Sequence, residues 1–399
     1  MVGRPRPLNV SLTEVAPIPE SGVESVLDLM KTGALFRYGE TKGTDSYVSR
    51  LEVEFARMYN RKYAIAVNSG GSALYLALKA SGIDAEDQVM LNSFTLSPVP
   101  GAIENCGAKT ILLECTENMV IDLQSLEFAV EKLGARCLLL SYMRGHVPDM
   151  EKLSQLVEKH NLLLIEDCAH VLGAQYDGRM LGTFGSVSCF SLQTYKQVNG
   201  GEGGVILTDD EDIAAKAVLM SGSYMLYGQH SQAPSDEVFK KWRGTMPNYS
   251  LRLNEVSAAI VLSQLPHLDE LNERWRRIHS RISAGLSKIP NILVSEFPSV
   301  ILAAPTSIQF NVNLPSENIE VALAEASSLG LEIKWFGRSD ARGFTSNHHH
   351  WEHISKQQLA QTDLMLEGLM DIRLPSTLSD SECDQIVEVV AYSFSRFEE

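Results

Sequence analysis

Lys196 stands where an apolar run meets a glycine-rich turn, in FSLQTYKQVNGGEGG, and an amine held at such a junction can act as a nucleophile toward a carbonyl. Well upstream, Asp167 closes another apolar run, NLLLIEDCAH, with Glu166 before it and His170 just after it. A carboxylate at the tip of such a strand faces the ligand edge of a parallel sheet. A third segment, VNSGGSALYLAL (67–78), reads as a strand, a Ser-Gly-Gly-Ser turn and a helix start. Free N–H groups and the helix dipole converge there, where a phosphate can sit. Each segment alone is a weak signal. Together they supply an amine nucleophile, an acid partner for a pyridine nitrogen and a phosphate cradle, which pyridoxal 5'-phosphate (PLP) requires at once.

Apolar periodicity shows the elements that must hold these groups. Short apolar or β-branched runs at 63–67, 88–91, 109–113, 136–142, 161–167, 186–192 and 203–209 alternate with helix-length segments such as 149–160. The alternation predicts an α/β fold with a mostly parallel seven-stranded sheet covered by helices on both faces, its ligands at the carboxyl ends of the strands. Near residue 255 the pattern becomes long helical periodicity, with Val256, Ile260, Leu268, Leu271, Trp275 and Ile278 on one face and Pro266 as a kink. The domain boundary falls there. The expected organisation is a Pro-rich N-terminal arm over 1–22, a large domain over 23–265 and a smaller α+β domain over 266–399. In the last, 307–314 and 331–336 read as strands and 318–329 and 380–396 as helices.

A formal charge of −16 leaves no basic stripe for nucleic acid or an anionic membrane, so small molecules are the expected ligands. No stretch reaches the ~20 apolar residues of a membrane span, and Arg4 and Arg6 have no apolar segment behind them. Six cysteines without paired spacing point to a reducing cytoplasm. In NHHHWEH (347–353), adjacent histidines rarely converge on one ion, and no cysteine or carboxylate has helical ligand spacing beside them. No metal is expected; the segment reads as a loop over the active site.

From about Tyr38 to the C-terminus the chain resembles the DegT family of sugar aminotransferases, which are fold-type I PLP enzymes. The resemblance lies in LEVEFARMYNRKYAIAVNSGGSAL, GHVPDM, LIEDCAHVLGA, FSLQTYKQVNGGEGG and NYSLRLNEVSAAIVLSQL. It implies a homodimer with active sites at the interface, PLP on the large domain and the small domain covering it. By position it makes Lys196 the residue that carries PLP as an internal aldimine and shuttles the proton. Asp167 becomes the carboxylate that keeps the pyridine nitrogen protonated, and His170 the side chain at the phenolic oxygen. Gly70, Gly71, Ser72 and Ser191 fall at the phosphate, with Ser72 equally suited to capping the helix. The chain departs from the family where an aromatic residue should follow Thr95: Leu96 stands there, so either Phe94 or Leu96 packs on the ring. The asparagine that reaches the partner's phosphate falls at Ser250, with Asn248 the other candidate. Arg144 replaces a neutral residue and reads either as a fork for a substrate carboxylate or as a loop salt bridge.

The implied reaction is transamination from an amino acid, glutamate or glutamine, to a ketone on a sugar, nucleotide sugar or cyclitol. Two alternatives share the scaffold: a PLP-dependent elimination, replacement or cyclisation, and a non-catalytic sensor. The second has no need of Lys196 and Asp167.

Overall fold

The computed structural model of the chain describes residues 4–39, 46–341 and 346–397. The central sheet contains β1 (Tyr63–Val67), β2 (Gln88–Asn92), β3 (Lys109–Leu113), β4 (Cys137–Ser141), β5 (Leu163–Asp167), β6 (Val187–Ser191) and β7 (Gly204–Thr208). Their order is β1-β7-β6-β5-β4-β2-β3. Only β7 runs against its neighbours, pairing antiparallel with β1 and β6, while β6, β5, β4, β2 and β3 pair in parallel. The carboxyl ends of β2, β4, β5 and β6 therefore meet along one edge, and they are Asn92, Ser141, Asp167 and Ser191.

Alternating side chains feed two apolar layers. Leu138, Leu140 and Leu164 enter one with Phe55, Phe190 and Val261, whereas Leu139 and Ile165 enter the other with Leu74, Ile103 and Val218. Both faces are covered, which is why the strands read as continuous apolar runs. Side-chain caps set the helix starts: Ser69 Oγ accepts the Ser72 N–H at 3.0 Å to open Gly70–Ala80, and Asn254 accepts the Ser257 N–H at 2.9 Å to open Glu255–Gln264. The Arg37 guanidinium forks onto buried Glu52 at 2.7 and 3.0 Å, and His230 Nδ1 lies 3.2 Å from the same carboxylate. This cluster ties the long loop after the helix Glu211–Ser221 to the large domain.

Pro266 sits in a single 3-10 turn, Leu265–His267, that divides the long helical pattern into Glu255–Gln264 and Leu268–Leu286. Beyond it a smaller antiparallel sheet holds β8 (Ile292–Val294), β9 (Ser307–Val312), β10 (Lys334–Trp335) and β11 (Leu369–Arg373), in the order β8-β9-β11-β10. It packs with the helices Leu268–Leu286, Ser316–Ser328 and Asp380–Phe394 through Trp275, Ile282, Phe310, Ala322, Ile372 and Val390.

Three expectations change. The strand expected over 331–336 shrinks to Lys334–Trp335, and a central strand, β11, occupies LMDIR, which had not been read as one. Met370 and Ile372 of β11 face the small core while Asp371 and Arg373 turn to a cavity, so its apolar run is interrupted. The arm also differs. Its helix starts at Glu20, Leu8 is buried in the small-domain core with its N–H on the Leu329 carbonyl at 2.7 Å, and Gln385 Nε2 donates to the Arg6 and Pro7 carbonyls. The arm thus lies along its own small domain. No described helix is long and apolar enough to cross a membrane.

Candidate active site

β4 and β5 pair with Ser141 beside Asp167, and this register links the two side chains at the sheet edge. Ser141 Oγ donates to Asp167 Oδ2 at 2.7 Å and accepts from Thr95 Oγ1 at 2.8 Å, while the Ala169 N–H donates to Asp167 Oδ1 at 3.1 Å. Asn92 holds the Ser141 backbone, accepting its N–H at 2.8 Å and donating to its carbonyl at 3.2 Å. Burial raises the Asp167 pKa, and the Ser141 and Ala169 bonds and the nearby Lys196 oppose the rise. Glu166 projects to the other side of the strand. There it accepts from Tyr142 Oη at 2.6 Å and from the Gly182 and Gly185 N–H groups at 2.8 and 2.6 Å, so it anchors the fold.

After β6 the chain turns with the Lys196 N–H on the Gln193 carbonyl at 2.9 Å. Gln197 Nε2 pins the next residue to the carbonyls of His170 and Ala304, both at 2.9 Å. These bonds aim Lys196 Nζ at His170, 3.2 Å from Nε2. Burial, reinforced by the charges of Lys196 and Arg144, holds the His170 ring well below its usual pKa, so it is neutral near pH 7 and can accept at Nε2. Burial likewise pushes the Lys196 amine down to about 7, with Arg144 and Arg373 adding to the shift and Asp167 opposing it. An amine at that value is about half unprotonated, hence nucleophilic, at neutral pH.

The helix Gly70–Ala80 opens against the end of β6, and glycine is what permits the contact. A Cβ on Gly70 would lie 2.9 Å from Ser191 Cβ, and one on Gly204 would lie 2.4 Å from the Ser69 carbonyl oxygen. The helix N-terminus, with first-turn N–H groups that no helix pairs internally, is thereby brought to the edge that carries Ser191.

A cavity of about 820 Å³ separates this edge from the small domain, which contributes Lys334, Asp371 and Arg373 to the facing wall. Arg144 joins them from the end of β4, where two successive left-handed residues, Arg144 (φ 57°) and Gly145 (φ 87°), turn the chain. Arg144 Nη2 donates to Asp371 Oδ2 at 2.7 Å, and Gln309 Nε2 donates to Asp371 Oδ1 at 2.7 Å. The Arg373 guanidinium carbon lies 3.9 Å from the centroid of Tyr195, and Lys334 Nζ donates to Ser346 Oγ at 2.6 Å. Burial pushes the Lys334 amine down to about 8, helped by Arg144 and Arg373 and opposed by Asp371.

The cavity brings together Gly70, Gly71, Arg144, Asp167, His170, Ser191 and Lys196. Other expected residues lie elsewhere. Phe94 does not line it: the ring is fully buried against Phe336, with centroids 5.1 Å apart, and Leu96 faces the cavity instead. Ser72 is turned away, its Oγ on Asn68 Oδ1 at 2.7 Å, and the cap of the helix is Ser69. Asn248 and Ser250 are exposed outside the cavity of their own chain, where Asn248 Oδ1 accepts the Ser250 N–H at 2.9 Å. Arg144 reaches the cavity and is ion-paired with Asp371, so of its two readings the structure has the salt bridge, and the substrate-binding fork is not free.

The sequence reading missed Ser141, Thr95, Tyr195, Lys334, Asp371 and Arg373. The available signals were a polar residue at the strand end beside Asp167 and charges alternating with apolar residues in KWF and DIR. His348 and His349 each place Nε2 2.8 Å from Asp363 Oδ1, so adjacent histidines do converge, on a carboxylate of the helix Ala360–Glu367. Ser346, Asn347 and His350 of the same segment line the cavity.

Comparison with known proteins extends this likeness over nearly the whole chain. The model of the DegT/DnrJ/EryC1/StrS aminotransferase family matches residues 21–390. The spore coat polysaccharide biosynthesis protein SpsC of Bacillus subtilis (strain 168) is 31% identical over 277 residues, 69% of this chain and 69% of that protein. The L-glutamine:scyllo-inosose aminotransferase of Streptomyces griseus is 26% identical over 317 residues, 79% of this chain and 74% of that protein. The solved structure of the aminotransferase TlmJ from Streptoalloteichus hindustanus shares the fold with a TM-score of 0.81 at 20% identity, covering 99% of each chain. The chain belongs to the DegT/DnrJ/EryC1/StrS aminotransferase family of enzymes.

Proposed function

We propose that this enzyme binds PLP at Lys196 and transfers an amino group from an amino acid, glutamate or glutamine, to a ketone of a sugar, nucleotide sugar or cyclitol. The convergence of the Lys196 amine, the Asp167 carboxylate and the Gly70–Ser191 cradle on one cavity carries the reading. The residues fit PLP: glycine at position 70 lets a helix N-terminus pack directly against Ser191, and both face the cavity, where first-turn N–H groups and a serine hydroxyl can take a phosphate. The buried carboxylate of Asp167 has the charge that a pyridinium nitrogen needs.

PLP, when bound, supplies a carbonyl that condenses with amines and a ring that withdraws electrons from the substrate carbon. Lys196, about half unprotonated near pH 7 through burial and nearby cations, would hold the cofactor covalently and then move the proton at the substrate carbon. Asp167, oriented by Ser141 and Thr95, would keep the ring nitrogen protonated. His170 would stand at the phenolic oxygen, and Gly70, Gly71 and Ser191 would take the phosphate. Leu96 is the apolar side chain available to pack on the ring. Asn248 and Ser250, exposed and outside their own cavity, would serve the partner of a homodimer. All six cysteines are buried and unpaired, which supports a cytoplasmic setting.

The scyllo-inosose enzyme's name supports a glutamine donor and a cyclic ketone acceptor. Adding glutamate or glutamine to the cofactor-loaded protein tests the proposal. The bound cofactor should convert to its amine form with one equivalent of 2-oxo acid released. A cofactor spectrum that no amino acid changes would refute it.

A further inference from the structure

The cavity wall facing the sheet edge holds buried guanidinium N–H groups that no described side chain accepts. Arg144, Lys334 and Arg373 meet there around Asp371, whose oxygens are already taken by Arg144 and by Gln309, each at 2.7 Å. The other lining carboxylates of that side are engaged elsewhere: Glu332 accepts from Ser327, and Asp340 lies 3.9 Å from Arg338. Arg144 Nε and Arg373 Nη1 are buried without a hydrogen-bond partner. A charged donor buried without an acceptor destabilises a folded chain, so two of them in the wall of a cavity call for an acceptor that arrives with the ligand. Arg373 is presented as a plane stacked on Tyr195, and a guanidinium plane matches a carboxylate through two parallel bonds.

Resting on the aminotransferase reading, both half-reactions use the single amine of Lys196, so donor and acceptor enter the same cavity in turn. An amino acid brings a carboxylate to this wall. A neutral ketone arriving next would leave Arg144 Nε and Arg373 Nη1 without an acceptor. We infer that the keto acceptor itself carries a carboxylate, as a keto sugar of the uronic-acid class does, and that Arg373 binds it with Arg144 and Lys334 beside it.

Calorimetric titration of the cofactor-loaded protein with D-glucuronate, neutral D-glucose and a nucleoside diphosphate tests this. D-Glucuronate should bind about tenfold to a hundredfold more tightly than D-glucose, the range for a charge-assisted pair. Arg373→Gln should abolish that preference and Arg373→Lys should restore part of it. Lys334→Gln, which should weaken the preference, serves as the second variant if Arg373→Gln does not fold. Equal binding of the two sugars, or a preference that survives Arg373→Gln, overturns the inference. So does a nucleoside diphosphate losing affinity in that variant in place of D-glucuronate. The half-reaction with amino acids is followed separately: its failure removes the aminotransferase reading, whereas an intact half-reaction without the D-glucuronate preference removes only the acidic acceptor.

Discussion

Replacing Arg373 with glutamine should return part of the proton affinity that Lys196 has lost. Burial and the charges of Arg144 and Arg373 hold the amine at about 7, while Asp167 pulls the other way. An ordinary lysine titrates near ~10.4, so at pH 7 only about 0.04% of it is unprotonated, against about half of Lys196. The difference is roughly a thousandfold in reactive amine. Removing one nearby like charge in a partly buried site is worth on the order of one pKa unit. Arg373→Gln should therefore move the titration upward by that amount and cut reactivity at pH 7 several-fold, and Asp167→Asn should move it downward. Competitive acylation of the cofactor-free protein across pH 5.5–11, with Lys196 followed by peptide mass spectrometry, reads each inflection directly. An inflection above pH 10 in the parent protein, or one unmoved in Arg373→Gln, would refute the electrostatic reasoning.

Ser141→Ala leaves the Thr95 hydroxyl and one Asp167 oxygen without their partner, and should lower turnover by about tenfold to a hundredfold while the protein still binds PLP; unchanged turnover would remove Ser141 from the site. Burial pushes His146 and His279 down to about 4, below the 6.5 of an unfolded histidine, so the unfolded chain binds those protons first. Their contribution to stability is whole above pH 6.5 and is lost as pH falls toward 4, at up to about 1.4 kcal/mol per pH unit for each group. Urea midpoints should accordingly be lower at about pH 5 than at about pH 7.5, and equal midpoints would contradict this. Co-expressing Lys196→Ala with a double variant, Asn248→Ala and Ser250→Ala, should restore some activity in mixed dimers; verified heterodimers that stay inactive would mean that each site is served by one chain.

The large domain was legible because its strands are buried on both faces, so 63–67 and 109–113 announced β1 and β3 as plain apolar runs. Lys196, Asp167 and the Ser-Gly-Gly-Ser turn were visible for the same reason, as polar residues at the ends of such runs. β11 was not, because Asp371 and Arg373 belong to the cavity and break the pattern that the core side, Met370 and Ile372, would have produced. In sequence Arg144 read either as a fork for a carboxylate or as a loop salt bridge. Its partner, Asp371, is brought to it by the packing of one domain on the other, which no local pattern encodes. Phe94 misled for a simpler reason: proximity to Thr95 in sequence does not say which side of the turn faces the cavity, and the larger ring went to the core with Phe336.

Reduction of the cofactor-loaded protein with borohydride, followed by peptide mapping, tests most directly whether Lys196 carries PLP. The pyridoxyl group should appear on the peptide containing Lys196 and vanish in a folded Lys196→Ala variant. A pyridoxyl group on another lysine, with Lys196 unmodified, would contradict the assignment.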